Sequence, residues 1–214
     1  MRVISNNPAV ENEKPYKEAE EVVNKANGNN TMTDTDKAIN KERRECTISK
    51  NMVSLLVTQL RAELANYNLY NTFATYFNKE GLHKLAKYYE GRANEENLHH
   101  KWILNYLHVC DAEFQYPEIP IIKVDITDRL MPFRNTVDRE IETTGGINFI
   151  INQALKEQDW ATFAFLMGNS PVEGKLCPEQ IEEEKISREA LKLASSDTDW
   201  LTKQDSIYDL YFND

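Results

Sequence analysis

The chain has 214 residues, 41% of them hydrophobic and 28% charged, with a net charge of −10 at neutral pH, which suits one compact domain with some length to spare. The acidic balance speaks against a general nucleic-acid binder, which needs clustered Lys and Arg for phosphates, and it is compatible with attraction of cations. Apolar runs such as 53–57 and 119–122 are too short to cross a bilayer, and no apolar secretory segment follows Met1-Arg2-Val3-Ile4-Ser5. Cys46, Cys110 and Cys177 are scattered and form neither a CxxC pair nor a disulfide framework. The expectation is a cytosolic protein with ordinary free thiols, no membrane partner and no nucleic acid.

Residues 1–46 differ from the rest. Tyr16 is their only aromatic, Leu and Phe are missing, and Asn27-Gly28-Asn29-Asn30-Thr31 is a polar tract. Eight Lys and Arg stand there against nine Asp and Glu, so the following residues carry nearly all the net charge. This composition predicts a polar N-terminal extension, flexible or conditionally ordered, before a domain over 47–214.

From Ser49 the texture is helical. Ser49 can cap a run in which Met52, Leu55, Leu56, Leu60, Leu64, Tyr67 and Tyr70 recur at three- and four-residue steps, lasting to about Asn78. Lys79-Glu80-Gly81 then turns the chain into a second run, 82–108, with Leu85, Tyr88, Tyr89, Ala93, Leu98, Trp102, Ile103 and Tyr106. Two long helices joined by so short a turn lie antiparallel.

Pro117, Pro120 and Pro132 break the pattern over 109–132, a length able to cross a bundle end to end in extended form. Periodicity resumes near Thr136 and runs to Lys156 through Val137, Ile141, Phe149, Ile150 and Ala154. Gly145-Gly146 inside it implies fraying or close packing. A fourth run starts at Asp159 and breaks at Gly168-Asn169-Ser170-Pro171. It restarts with Pro178 in a first helical position and continues to Ala194. A short last helix is expected over 199–211.

An iron pair requires oxygen ligands and one or two imidazoles on facing helices. Glu96 and His99, in Glu95-Glu96-Asn97-Leu98-His99, stand at i, i+3 and share a helical face. Glu63 falls on or beside the apolar stripe of Leu56, Leu60 and Tyr67, where a carboxylate is costly unless paired or metal-bound. Glu140 lies in the third helix. Glu179-Gln180-Ile181-Glu182-Glu183-Glu184 opens the restarted fourth helix, where an exposed acidic first turn is the plainer reading. His83, His100 and His108 read as surface or helix-end histidines, and Trp102, Trp160 and Trp200 as core or interface anchors.

As a set these segments resemble the non-haem ferritins of prokaryotes. The matching pieces are Glu63-Leu64 with Tyr70 beyond, Ala93-Asn94-Glu95-Glu96-Asn97-Leu98-His99 with Tyr106-Leu107, Thr162-Phe163-Ala164-Phe165-Leu166, and Glu179 to Lys185. The resemblance covers about 48–212. It implies an all-α, ferritin-like four-helix bundle with one long crossover and a short fifth C-terminal helix. It implies that Glu63, Glu96 and His99 hold one iron, and that Glu96 bridges to a second iron bound by Glu140 and Glu183, with Gln180 lining the site. Tyr70 would act beside the pair, and Glu95, Glu179 and Glu182 match a further, inward-facing iron position. The activity implied is Fe(II) oxidation by O₂ or peroxide, with Fe(III) stored inside a homo-oligomeric shell of twenty-four subunits. Ile186 stands where a second ExxH would need histidine, and Asn97 where a haem-binding member has Met, so no haem is expected. Two features depart from the family pattern: several extra residues over 167–178, and the N-terminal extension. They suggest a rival reading, a ferritin-like structural or interaction protein with an impaired second iron site.

Overall fold

A computed structural model describes residues 45–119 and 121–212. The extension expected over 1–46 therefore lies, but for Glu45 and Cys46, outside the described residues. Helix α1 spans Lys50–Lys79. The Ser49 hydroxyl accepts from Met52 N–H at 3.0 Å, satisfying one of the free donors of the first turn. Gly81 turns the chain with φ +75°, a conformation that suits a residue without Cβ. Helix α2, His83–Val109, then packs back along α1. Residues 110–130, as far as they are described, contain no helix or strand and carry the chain to the second hairpin.

Helix α3 spans Met131–Glu157 and begins earlier than the periodicity predicts. Pro132 opens this helix rather than ending the crossover, because a first-turn proline lacks only an N–H that would be unbonded anyway. The Asp128 carboxylate accepts from Leu130 N–H at 2.8 Å and Met131 N–H at 2.9 Å, supplying the cap. Gly145 and Gly146 stay helical. A Cβ on Gly146 would lie 2.6 Å from Gln59 Oε1, whereas one on Gly145 would meet nothing within 4 Å. Close packing, not fraying, is the outcome.

Two helices share the fourth position: α4, Trp160–Leu166, and α5, Leu176–Ala194. Asp159 caps α4, its Oδ1 accepting from Thr162 N–H at 3.0 Å and its Oδ2 from the Thr162 hydroxyl at 2.6 Å. Tyr106 stacks on Phe165 with ring centroids 4.1 Å apart and bonds Thr162 at 3.0 Å, which fixes α4 against α2. Gly174 is buried so tightly that a Cβ would fall 2.2 Å from Phe165. Leu176 is buried in the same apolar cluster. The inserted loop is thus tucked onto the core, and α5 begins two residues before Pro178. Helix α6, Trp200–Phe212, follows Asp199, whose Oδ1 accepts from Leu201 and Thr202 N–H at 2.9 and 3.1 Å.

The core divides in two. One cluster gathers Met52, Leu56, Leu60, Ile103, Tyr106, Ile147, Phe165 and Leu176; the other gathers Tyr70, Phe73, Phe77, Tyr88, Tyr89, Phe133 and Ala190. Between them along each long helix lie buried polar residues: Gln59, Glu63 and Asn66 on α1; Arg92, Glu96 and His99 on α2; Glu140 and Thr143 on α3; Gln180 and Glu183 on α5. Ile141 and Phe149, expected on the apolar face of the third helix, are instead exposed, at 52 and 59%, and Ile181 on α5 is exposed at 73%. Trp102 is buried and Trp160 exposed. The three cysteines are free. No helix of the described residues is long and apolar enough to cross a membrane.

Candidate metal centre

The polar layer is a place where burial works against ionised groups, since a charge in this environment costs several kcal/mol unless matched. Glu63 and Glu96 are 0 and 1% exposed, and His99 is 2% exposed. His99 Nδ1 stands 3.8 Å from Glu63 Oε2 and 3.7 Å from Glu96 Oε2, beyond hydrogen-bond reach. One ligand atom from each of the three residues falls within 4.8 Å of the others. Glu63 Oε2, both Glu96 oxygens and His99 Nδ1 have no hydrogen-bond partner. Buried polar atoms are nearly always paired, and these orphans converge on one another. A divalent cation with oxygen and imidazole preference satisfies all of them.

The neighbouring groups hold the three in place. Gln59, a turn before Glu63, donates to Glu63 Oε1 at 2.7 Å. His99 Nε2 lies 2.9 Å from Glu179 Oε2, so Glu179 fixes the ring with Nδ1 turned inward, as outer carboxylates do for ligating histidines. Burial, reinforced by the charge of Glu63, pushes the Glu96 carboxyl well above the usual carboxylate range. Burial also acts to raise Glu63, but the nearby His99 and Glu96 and the bond from Gln59 leave it below that range. His99 is lifted well above the ordinary imidazole value: burial opposes its charge, and Glu183, Glu179, Glu63 and Glu96 outweigh burial. With no metal the site therefore holds protons that a cation would displace.

The second grouping is built differently. Glu140 is fully buried and both its oxygens are engaged. Oε1 accepts from Arg92 Nη2 at 2.6 Å and from the Tyr70 hydroxyl; Oε2 accepts from Gln180 Nε2 at 2.8 Å. Glu183 Oε1 lies 3.7 Å from both Arg92 Nη1 and His99 Nε2. Burial drives the Glu183 carboxyl up to about 8 against the pull of Arg92 and His99. Tyr70 is raised well above the ordinary phenol value by burial and by Glu140. Gln180 and Glu183, at 3 and 5% exposure, point into the layer although α5 restarts only just before them.

The remaining expected residues lie on its outer side. Glu95, Glu179, Glu182 and Glu183 line a cleft of about 300 Å³ with His99, Leu210 and Tyr211. Glu95 accepts from Arg92 Nη1 at 2.9 Å, Glu179 also pairs with Lys175 at 2.6 Å, and Glu182 is exposed. His83 and His108 are exposed. His100, expected at the surface, is buried at 7%. Its value is lowered by burial first and by Lys101, and it feels the charge of Glu63, so its flank of α2 turns toward α1 rather than to solvent. Sequence reasoning missed Arg92 and Gln59. The signal was their spacing, each four residues before a candidate ligand on the same helical face.

Two antiparallel helical hairpins, one long crossover and a buried Glu–Glu–His cluster define a four-helix bundle with a candidate cation site in its core. The family model for the ferritin-like domain matches residues 53–175, and the chain belongs to the ferritin family. It is similar to the bacterial non-heme ferritin of Staphylococcus aureus strain USA300, 27% identical over 139 residues, 65% of this chain and 80% of that protein. It is 28% identical to the bacterial non-heme ferritin of Campylobacter jejuni over 141 residues, 66% of this chain and 80% of the relative. Among solved structures, an engineered closed form of the Archaeoglobus fulgidus ferritin superposes with a TM-score of 0.67 at 25% identity, covering 77% of this chain and 97% of the other.

Proposed function

We propose that this protein is an iron-storage ferritin that binds Fe(II) between Glu63, Glu96 and His99 and oxidises it with O₂ or peroxide. The observation that supports this most is the convergence of unpartnered, buried Glu63, Glu96 and His99 atoms, which a ferritin-family core would use for its substrate ion. Glu63 and Glu96 supply two negative charges to a divalent ion. The imidazole, oriented by Glu179, supplies a neutral nitrogen once the ion has displaced the site's protons. Glu140, Gln180 and Glu183 lie next to this ion's place, with the Tyr70 phenol on Glu140. Glu95, Glu179 and Glu182 form an acidic approach along the cleft.

The exposed Ile141, Phe149, Trp160 and Ile181 fit burial against further copies, as a homo-oligomeric shell of twenty-four subunits in the cytosol would provide. The test is aerobic Fe(II) addition to purified protein, followed by ferric absorbance and O₂ uptake. Wild type should oxidise Fe(II) much faster than a Glu96→Ala, His99→Ala double variant; equal rates would refute the enzymatic reading. The rival reading, a ferritin-like structural protein with an impaired second iron site, draws its support from the engagement of both Glu140 oxygens.

A further inference from the structure

Arg92 is one of the largest fully buried side chains of the protein, at 1% exposure. Nothing in a helix-packing role calls for a guanidinium there, and arginine is almost never fully buried unless paired. It is paired on three sides. Its Nη2 is 2.6 Å from Glu140 Oε1, and its Nη1 is 2.9 Å from Glu95 Oε2 and 3.7 Å from Glu183 Oε1. The guanidinium carbon also lies 5.9 Å from the centre of the Tyr70 ring. Glu140 and Glu183 are the two carboxylates that a second metal ion would need. Gln180 and Tyr70 close the remaining positions on Glu140. The Glu63–Glu96–His99 cluster, by contrast, has among the described residues no guanidinium or ammonium within ion-pair distance and leaves its inward atoms unpartnered.

We infer that Arg92 serves as a built-in second cation: its guanidinium takes the place beside Glu140 and Glu183, so that the site as folded binds one divalent ion rather than two. This rests on the reading of Glu63, Glu96 and His99 as a metal site. Glu63, Glu96, Glu140 and Glu183 carry four negative charges when all are ionised, which two divalent ions would balance. With Arg92 among them, one ion leaves one negative charge and two ions leave one positive charge, so a second ion is no longer required for balance. A second ion would have to enter beside a guanidinium that cannot lose its proton. It would also have to break three hydrogen bonds to Glu140. Arg92 therefore sets the metal stoichiometry, and a second ion binds only when the Arg92 side chain has been removed or swung away.

The experiment counts metal. Anaerobic Fe(II) titration of wild type, Arg92→Ala and the Glu63→Ala, His99→Ala double variant measures bound ions per chain, the double variant giving the surface background to subtract. Above that background, wild type should bind one Fe(II) per chain and Arg92→Ala two. Mn(II) in place of Fe(II) gives a second readout, which the wild type alone can decide. Electron paramagnetic resonance of the wild type should show isolated Mn(II), and Arg92→Ala an exchange-coupled pair. Two Fe(II) per chain in wild type, or a coupled Mn(II) pair there, would overturn the role of Arg92 while leaving the metal site intact. Wild type binding no more than the double variant would remove the metal site and this inference together.

Discussion

Replacing Arg92 by Ala, in metal-free protein, removes the only cation among the described residues that pairs with Glu140, a carboxylate that is fully buried. Breaking a buried pair from one side costs about 3–5 kcal/mol, because the surviving charge stays desolvated. In a domain of this size each kcal/mol shifts the melting temperature by roughly 2–4 °C, so the loss should be on the order of 10 °C. The double variant Arg92→Ala, Glu140→Gln should be more stable than Arg92→Ala alone, since no unpaired charge remains; the two substitutions must be strongly non-additive. Thermal unfolding followed by circular dichroism in the presence of chelator measures all four corners of the cycle. Adding Mn(II) should restore part of the loss in Arg92→Ala, in proportion to occupancy of the vacated place. A loss below about 1 kcal/mol for Arg92→Ala, or simple additivity in the double variant, would refute the reasoning.

Other expectations follow from the same layer. Glu96, His99 and Glu183 hold protons in the folded protein that the unfolded chain releases at lower pH. Their stabilisation is complete below the unfolded values and is lost as pH rises toward about 8, the folded value of Glu183. Glu63, shifted the other way, is ionised in both folded and unfolded chains across this window and leaves the slope unchanged, so metal-free protein should melt lower at pH 8 than at pH 5.5. A higher melting point at pH 8 would contradict it. The paired glycines should respond oppositely. Gly145→Ala meets nothing within 4 Å and should gain about 0.5–1 kcal/mol from helix propensity. Gly146→Ala must push Gln59 Oε1 aside, lose that gain and weaken metal binding, because Gln59 positions Glu63; melting curves and anaerobic titration check both. Asp159→Ala removes the α4 cap and its bond to Thr162 and should cost about 1–2 kcal/mol, measured by chemical denaturation.

Helical periodicity located α1 and α2 well because their buried residues recur on one face without interruption, and Ser49 caps α1 as its side chain suggests. The family resemblance and the bundle with one crossover were legible for the same reason, helped by the i, i+3 placement of Glu96 and His99. The start of α3 was less legible: Pro132 reads as a breaker until Asp128 is seen capping the turn ahead of it. Periodicity also cannot tell an apolar face turned inward from one turned outward, which is why Ile141 and Phe149 fit the stripe in sequence yet are exposed. The placement of Gln180 and Glu183 depended on the loop before α5. Gly174 and Leu176 anchor that loop against Phe165 and the core, a tertiary effect that no local pattern carries. Arg92 escaped notice because a positive charge is not a ligand type. Its meaning lies in the carboxylates of Glu140 and Glu183 on two other helices, which only the fold brings to it.

The binding of iron by Glu63, Glu96 and His99 is tested most directly by diffraction from crystals soaked anaerobically in Fe(II), with data collected on both sides of the iron absorption edge. An anomalous peak between Glu63 Oε2, the Glu96 carboxylate and His99 Nδ1 is the expected result. Iron elsewhere in the crystal with no peak between those three side chains would contradict the account.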